Sequence, residues 1–212
     1  MEGHFDRWAA SYDADVRADP KGFPFAGYDA VLDALAETVR AAGARRVLEL
    51  GIGTGNLAAR VFAAVPGVEL WGVDFSAGML ARAGVKVPRA RLVRGEIEDL
   101  VALSLPPTVD AVVAAYVLHE LPDDRKLALI EGLLRERVAP GGVIAIGDIA
   151  FTDAAHFAAV REAQGASWDP SEHYFVADRF LAECAARGIA GEFRPLSFCG
   201  GVFVLRRRGE RR

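Results

Sequence analysis

The chain has 212 residues, 52% apolar and 25% charged, enough to bury a full core as one domain with or without an appendage. A formal net charge of −4 leaves the body of the protein without the basic footprint of a nucleic-acid binder, and no apolar run approaches the roughly 18 to 20 residues of a membrane span. Met1-Glu2-Gly3-His4 opens no leader peptide, so a cytoplasmic protein with no membrane partner is expected.

In chain order, Phe5, Trp8 and Tyr12 fall at i, i+3 and i+7, the spacing of one face of a helix. Pro20 to Pro24, with Gly22, reads as a hinge, and apolar periodicity near 3.6 places a helix over Tyr28–Ala41. Strands are then expected near Arg46–Leu50, Glu69–Val73, Ala90–Val93, Asp110–Ala114 and Val143–Ile149. Helices near Asn56–Ala64, Ala77–Ala83 and Asp123–Val138 alternate with them. Such alternation predicts an α/β fold, a doubly wound parallel sheet with helices on both faces. Pro140-Gly141-Gly142 marks the turn into the fifth strand. After a helix at Val176–Arg187, Glu192–Ser197 and Val202–Arg206 pair as an antiparallel hairpin, and Arg206 to Arg212 reads as a solvated basic tail. Cys184 and Cys199 are too far apart for a C-x-x-C pair and read as buried free thiols. No paired acids or histidines have ligand spacing, so no metal is expected.

The most informative stretch is Val47-Leu48-Glu49-Leu50-Gly51-Ile52-Gly53-Thr54-Gly55-Asn56, a strand running through a glycine-rich turn into a helix. Glycine lets the backbone turn sharply and a ligand approach without a Cβ in the way. The next strand ends at Asp74, about 20 positions on, where a carboxylate accepts from ribose hydroxyls. The dinucleotide fingerprint would want its third glycine where Asn56 stands, and no phosphate-binding G-x-x-x-x-G-K-[ST] occurs. The pattern therefore points to a nucleoside cofactor without a pyrophosphate.

Glu49-Leu50-Gly51-Ile52-Gly53-Thr54-Gly55 resembles the first motif of class I S-adenosylmethionine-dependent methyltransferases. The resemblance implies a Rossmann-like, seven-stranded, mostly parallel sheet with an antiparallel last strand. It further implies S-adenosylmethionine as cofactor, with S-adenosylhomocysteine as product. Gly51, Gly53 and Gly55, following Glu49, would cradle the methionine moiety, while Asp74, followed by Phe75, would hold the ribose. Gly95-Glu96-Ile97-Glu98-Asp99-Leu100 resembles the stretch in which an acid accepts from the adenine amino group, so Glu96 and Ile97 would frame the base. Glu96 is equally explained as an acid in a helix's first turn. Val109 to Tyr116 resembles the fourth motif and makes Ala115 and Tyr116 ligand-facing. Phe5 to Asp13 resembles the N-terminal helix folded over the cofactor, Tyr12 meeting the methionine end, although plain packing onto the core also explains it. One domain over 1–212 is implied, with cover helices in 1–42 and a substrate-side insertion in 151–178.

Methyl transfer from a sulfonium is an in-line displacement that asks for positioning and desolvation, with a general base where the acceptor carries a proton. Candidates near the carboxyl end of the sheet are His119 and Glu120, Asp148, and His173 with Tyr174; His119 and Tyr174 are also the substrate-contact candidates. His119 is more simply readable as a packing histidine of the following helix. A small-molecule acceptor is favoured, since Pro106-Pro107 precedes the fourth strand and no Asn-Pro-Pro-Tyr-like tetrapeptide follows it. A homodimer is compatible with the sequence. The alternatives are a nicotinamide oxidoreductase, disfavoured by Asn56, a non-catalytic cofactor-binding regulator or scaffold, and an aminopropyl transferase.

Overall fold

The computed structural model describes residues 2–209, with side chains from Phe5 onward. Two short helices, α1 (Glu2–Trp8) and α2 (Tyr12–Asp15), precede α3 (Tyr28–Ala41). Then come β1 (Arg46–Leu50), α4 (Asn56–Ala64), β2 (Glu69–Asp74), α5 (Ala77–Lys86), β3 (Arg91–Arg94) and β4 (Val109–Ala115). A 3-10 turn at Leu118–Glu120 leads to α6 (Asp123–Glu136) and β5 (Val138–Phe151). The chain continues through α7 (Ala154–Gln164), β6 (Phe175–Val176), α8 (Ala177–Ala186), β7 (Ile189–Pro195) and β8 (Gly200–Arg207).

The strands lie in the order β3-β2-β1-β4-β5-β8-β7, with β6 pairing off this path on the end of β5. Neighbours from β3 through β5 are parallel, and β8 runs antiparallel to both β5 and β7, as the hairpin reading expects. Alternate residues serve opposite faces. Leu48, Leu50, Val112, Ala114, Ile144 and Ile146 join a core with Leu127 and Ile130 of α6 and Phe180 of α8. Val47, Ala111, Val113 and Ala145 join the other, with Leu32 and Leu35 of α3 and Leu57 and Val61 of α4. Covering both faces is why these strands read as continuous apolar runs. Each fully buried Leu or Ile stabilises the fold by roughly 1.5–3 kcal/mol.

Several expectations change. The helix read over Phe5–Asp13 breaks after Trp8 and resumes at Tyr12, because its two ends dock on different elements. α3 covers the sheet and not a ligand site. In Pro20–Pro24, Pro20 and Lys21 are exposed, while Phe23 is half-buried and stacked on Trp168 at 5.5 Å between centroids and 12° between planes. Pro140-Gly141-Gly142 lies inside β5, where the register against β4 shifts between Val109 and Ala111. The basic run is not wholly a solvated tail: Arg206 and Arg207 belong to β8, and Arg207 donates to the carbonyl oxygens of Leu134 and Val138. Glu210 to Arg212, the rest of that run, lie outside the described residues, as does Met1. Cys184 and Cys199 are buried and free. No helix among the described residues is long and apolar enough to cross a membrane.

Candidate active site

β1 and β4 flank the point where the strand order reverses, and open α/β sheets bind ligands beyond the carboxyl ends of their strands at such a point. A cavity of about 530 Å³ lies there, within the size range of small-ligand sites. Its wall includes Gly51, Gly53, Asp74, Phe75, Glu96, Ile97, Ala115, Tyr116 and His119, as well as Tyr12 from the cover.

The glycine turn and the acid of β2 form one unit. Gly53 N donates to Asp74 Oδ2 at 2.8 Å and Ser76 N donates to Oδ1 at 2.9 Å, which fixes the carboxylate while each oxygen keeps further acceptor capacity. Burial pushes the Asp74 carboxyl above its usual range, against the two backbone bonds that favour its charge. Gly51 has φ +63°, and a Cβ there would sit 2.6 Å from Val117 Cγ2. Gly53, at φ +55°, would meet nothing closer than Gly51 O at 4.0 Å, so the turn is open on that side.

The N-terminal cover is clasped to this unit at two points. Asp6 Oδ1 accepts from Ser76 Oγ at 2.6 Å and Gly78 N at 2.9 Å, docking α1 on the first turn of α5 while Phe5 meets Phe75 edge-on at 5.4 Å. Asp13 Oδ1 accepts from Thr54 Oγ1 at 2.6 Å and Asn56 Nδ2 at 2.9 Å, and Lys86 Nζ donates to Oδ2. Burial works against the Asp13 charge, but the bonds from Lys86, Thr54 and Asn56 outweigh it and hold the carboxyl below the usual range. Asn56, which broke the dinucleotide fingerprint, is thus a cover-docking residue that also donates to Tyr28 Oη at 3.1 Å. The sequence reading missed both clasps; the acids flanking the Phe5, Trp8, Tyr12 stripe were the signal.

At the opposite end stands a histidine on a fixed mount. His119 Nδ1 and Asp148 Oδ1 are 2.6 Å apart. Asp148 also accepts from the backbone N–H groups of Leu118, His119 and Ile149, so its carboxylate is the acceptor and Nδ1 carries the hydrogen. Nε2 then faces Glu120 Oε1 at 3.9 Å and Glu172 Oε1 at 4.0 Å, all three residues lining the cavity. Burial disfavours the imidazolium, but Asp148, Glu172 and Glu120 together raise its pKa above the ordinary 6.5. Tyr116, at the end of β4, is the sole non-glycine with positive φ, +53°, among the described residues. Strain of this kind clusters at functional sites.

Other candidates stand elsewhere. Gly55 (φ +86°) caps α4 away from the wall, where a Cβ would lie 2.9 Å from Val87 Cγ2, so its role is helix packing. Glu49 is buried at the end of β1 with Oε2 unpartnered among the described residues. Burial, then the Asp74 charge, push its carboxyl well above the usual range. His173 is exposed and off the wall; its backbone works instead, N donating to His119 O at 2.7 Å and O accepting from the buried Lys126 ammonium. Tyr174 is buried beside His119, with ring centroids 6.4 Å apart, and Glu172 takes the wall position expected of it. Asp148 acts from behind His119. Sequence spacing also showed no cluster of ligating groups, whereas the fold joins His119 and Glu120 to Glu172.

A family model described as a methyltransferase domain matches residues 48–144. An uncharacterized methyltransferase of Geobacillus kaustophilus is 31% identical over 203 residues, covering 89% of this chain and 88% of the relative. One of Geobacillus thermodenitrificans is 34% identical over 166 residues, covering 75% and 71%. Among solved structures, a complex of DhpI with S-adenosylhomocysteine superposes with a TM-score of 0.70 at 24% identity, covering 99% of this chain and 96% of that one. Magnesium protoporphyrin IX methyltransferase from Synechocystis, also with S-adenosylhomocysteine, gives 0.69 at 15% identity, covering 98% and 100%. With a glycine turn, a strand-end acid and this strand order all in place, the chain belongs to the class I S-adenosylmethionine-dependent methyltransferase family.

Proposed function

We propose that this protein transfers the methyl group of S-adenosylmethionine to a small-molecule acceptor, with His119 taking the acceptor's proton. The observation that carries this reading is the division of one covered cavity between a glycine turn with Asp74 at one end and His119, mounted on Asp148, at the other. S-adenosylmethionine supplies an electrophilic methyl on a sulfonium. Asp74 accepts from the ribose hydroxyls, and Glu96 and Ile97, with Phe75 beside them, frame the adenine. Gly51 and Gly53 leave room for the methionine moiety, beside Ala115 and Tyr116. The unpartnered Glu49 oxygen under the turn and the open side of Gly53 both suit a ligand that brings its own donors. The cover, with Tyr12 on its inner side, excludes water once closed. The formal net charge of −4 gives no support to a nucleic-acid acceptor.

A module that only bound the cofactor would have no use for a buried histidine held in one tautomer beyond the cofactor end. The test is S-adenosylhomocysteine formation from S-adenosylmethionine over a panel of acceptors. His119→Gln is expected to lower kcat by roughly 10² to 10⁴, the range of general-base catalysis, without weakening cofactor binding. Equal turnover in the variant would remove His119 from the chemistry.

A further inference from the structure

We infer that the acceptor is an organic amine, bound as its ammonium ion between Glu120 and Glu172 and deprotonated there by His119. This rests on the methyl-transfer reading above and narrows its acceptor class.

Three acceptor atoms converge beside the cavity: His119 Nε2 and one carboxylate oxygen each from Glu120 and Glu172, all within 4.8 Å of one another. Their spacing separates the cations they could hold. An ammonium nitrogen with hydrogen bonds of about 2.8 Å sets its acceptors about 4.0–4.6 Å apart for angles between 90° and tetrahedral. A divalent metal with bonds of about 2.1 Å would draw them to about 3.0–3.4 Å. The observed separations from Nε2, 3.9 and 4.0 Å, fit the ammonium.

Charge and hydrogen bonding agree. Glu98 is neutralised by Arg125 at 2.7 Å, whereas among the described residues the ion-pair distances of Glu120 and Glu172 run only to His119. An anionic acceptor would therefore meet two carboxylates without a basic partner. A neutral alcohol or thiol could satisfy the imidazole but would leave the Glu120 carboxylate short of a donor, whereas Glu172 already accepts from the Tyr174 hydroxyl. His119 supplies the independent observation: its side chain is 9% exposed, its Nδ1 is committed to Asp148, and its Nε2 stands 3.9 and 4.0 Å from the two carboxyl groups, beyond hydrogen-bond reach of either. An N–H-rich cation satisfies all three atoms at once.

The step balances. A bound ammonium has no lone pair, so one N–H proton passes to Nε2, and the freed amine nitrogen attacks the methyl carbon. The N–C bond forms as the C–S bond breaks, the sulfur keeping that electron pair and losing its charge. The methylated ammonium product departs, and His119 returns the proton to solvent.

The test titrates primary and secondary alkyl and aryl-alkyl amines, with matched alcohols, thiols and carboxylates, into the protein preloaded with S-adenosylhomocysteine. The same compounds are assayed for turnover with methyl-labelled S-adenosylmethionine. Amines are expected to bind at least tenfold tighter than their neutral isosteres. Glu120→Gln and Glu172→Gln should each raise the amine KM about tenfold while kcat and S-adenosylhomocysteine affinity change little. Binding or turnover confined to neutral or anionic compounds, or no amine binding at millimolar concentration, would overturn the inference. So would activity that requires an added divalent cation and is lost on chelation, which would make the three residues a metal centre. Failure of S-adenosylhomocysteine to bind would instead count against the cofactor reading, which keeps the two apart.

Discussion

Asp148 holds His119 in one tautomer: a carboxylate that already accepts three backbone N–H groups takes the Nδ1 hydrogen as well, at 2.6 Å. In Asp148→Asn, one oxygen and one NH2 replace two oxygens, so a backbone N–H or the imidazole loses its acceptor and Nε2 loses its fixed lone pair. kcat/KM is expected to fall by roughly 10² to 10³ while S-adenosylhomocysteine affinity, measured by calorimetry, stays within threefold. Unchanged turnover would make Asp148 a structural residue only.

The pH profile follows from the same pair. Burial lowers the His119 pKa, yet Asp148 on β5, Glu172 on the insertion and Glu120 on the same turn raise it more, leaving it above 6.5 in the free enzyme. A base works when neutral, so kcat/KM should rise with pH through that raised value and be lost as pH falls below it. Glu172→Gln removes one charge that favours the imidazolium and should move the acid limb to lower pH. A limb that stays in place or moves upward would contradict the assignment.

The Asp13 clasp predicts a cover that loosens without unfolding the sheet. Asp13→Ala deletes the bonds to Thr54, Asn56 and Lys86, which are partly exposed and together are worth on the order of 1 kcal/mol. Cofactor affinity should weaken about fivefold, and amide exchange over 5–17 should quicken while β1 and β4 stay protected. Uniform loss of protection would mean that the clasp supports the whole fold.

Gly55 is placed in helix packing and not on the cavity wall. Gly55→Ala forces a Cβ onto a backbone with φ +86° and to within 2.9 Å of Val87. Destabilisation of about 1–3 kcal/mol by denaturant titration is expected, with cofactor affinity in the folded protein within a few-fold of wild type. Selective loss of binding would return Gly55 to the site.

The sequence was most legible where a local device sets a boundary. α3 and α4 start at the expected residues because Gly27 and Gly55, both with positive φ, stand at their N-caps. β1 stops at Leu50 because Gly51 turns the chain. α7 left no signal: Val160 alone is buried, so Ala154–Gln164 has no apolar stripe to read. The site divided in the same way. Gly51, Gly53 and Asp74 lie on one motif with its own spacing, whereas Asp13 and Lys86 are 73 positions apart and His119 and Asp148 are 29 apart. Partners brought together only by the fold leave no local pattern, which is why the clasps and the convergence of Glu172 on His119 emerged from the structure alone.

The division of the cavity is tested most directly by calorimetric titration of S-adenosylhomocysteine into the wild-type protein, Asp74→Asn and His119→Gln. Micromolar binding is expected for the wild type, on the order of −8 kcal/mol, with at least a hundredfold loss in Asp74→Asn and wild-type affinity in His119→Gln. Equal affinity in Asp74→Asn, or lost affinity in His119→Gln, would contradict a cofactor end at Asp74 and an acceptor end at His119.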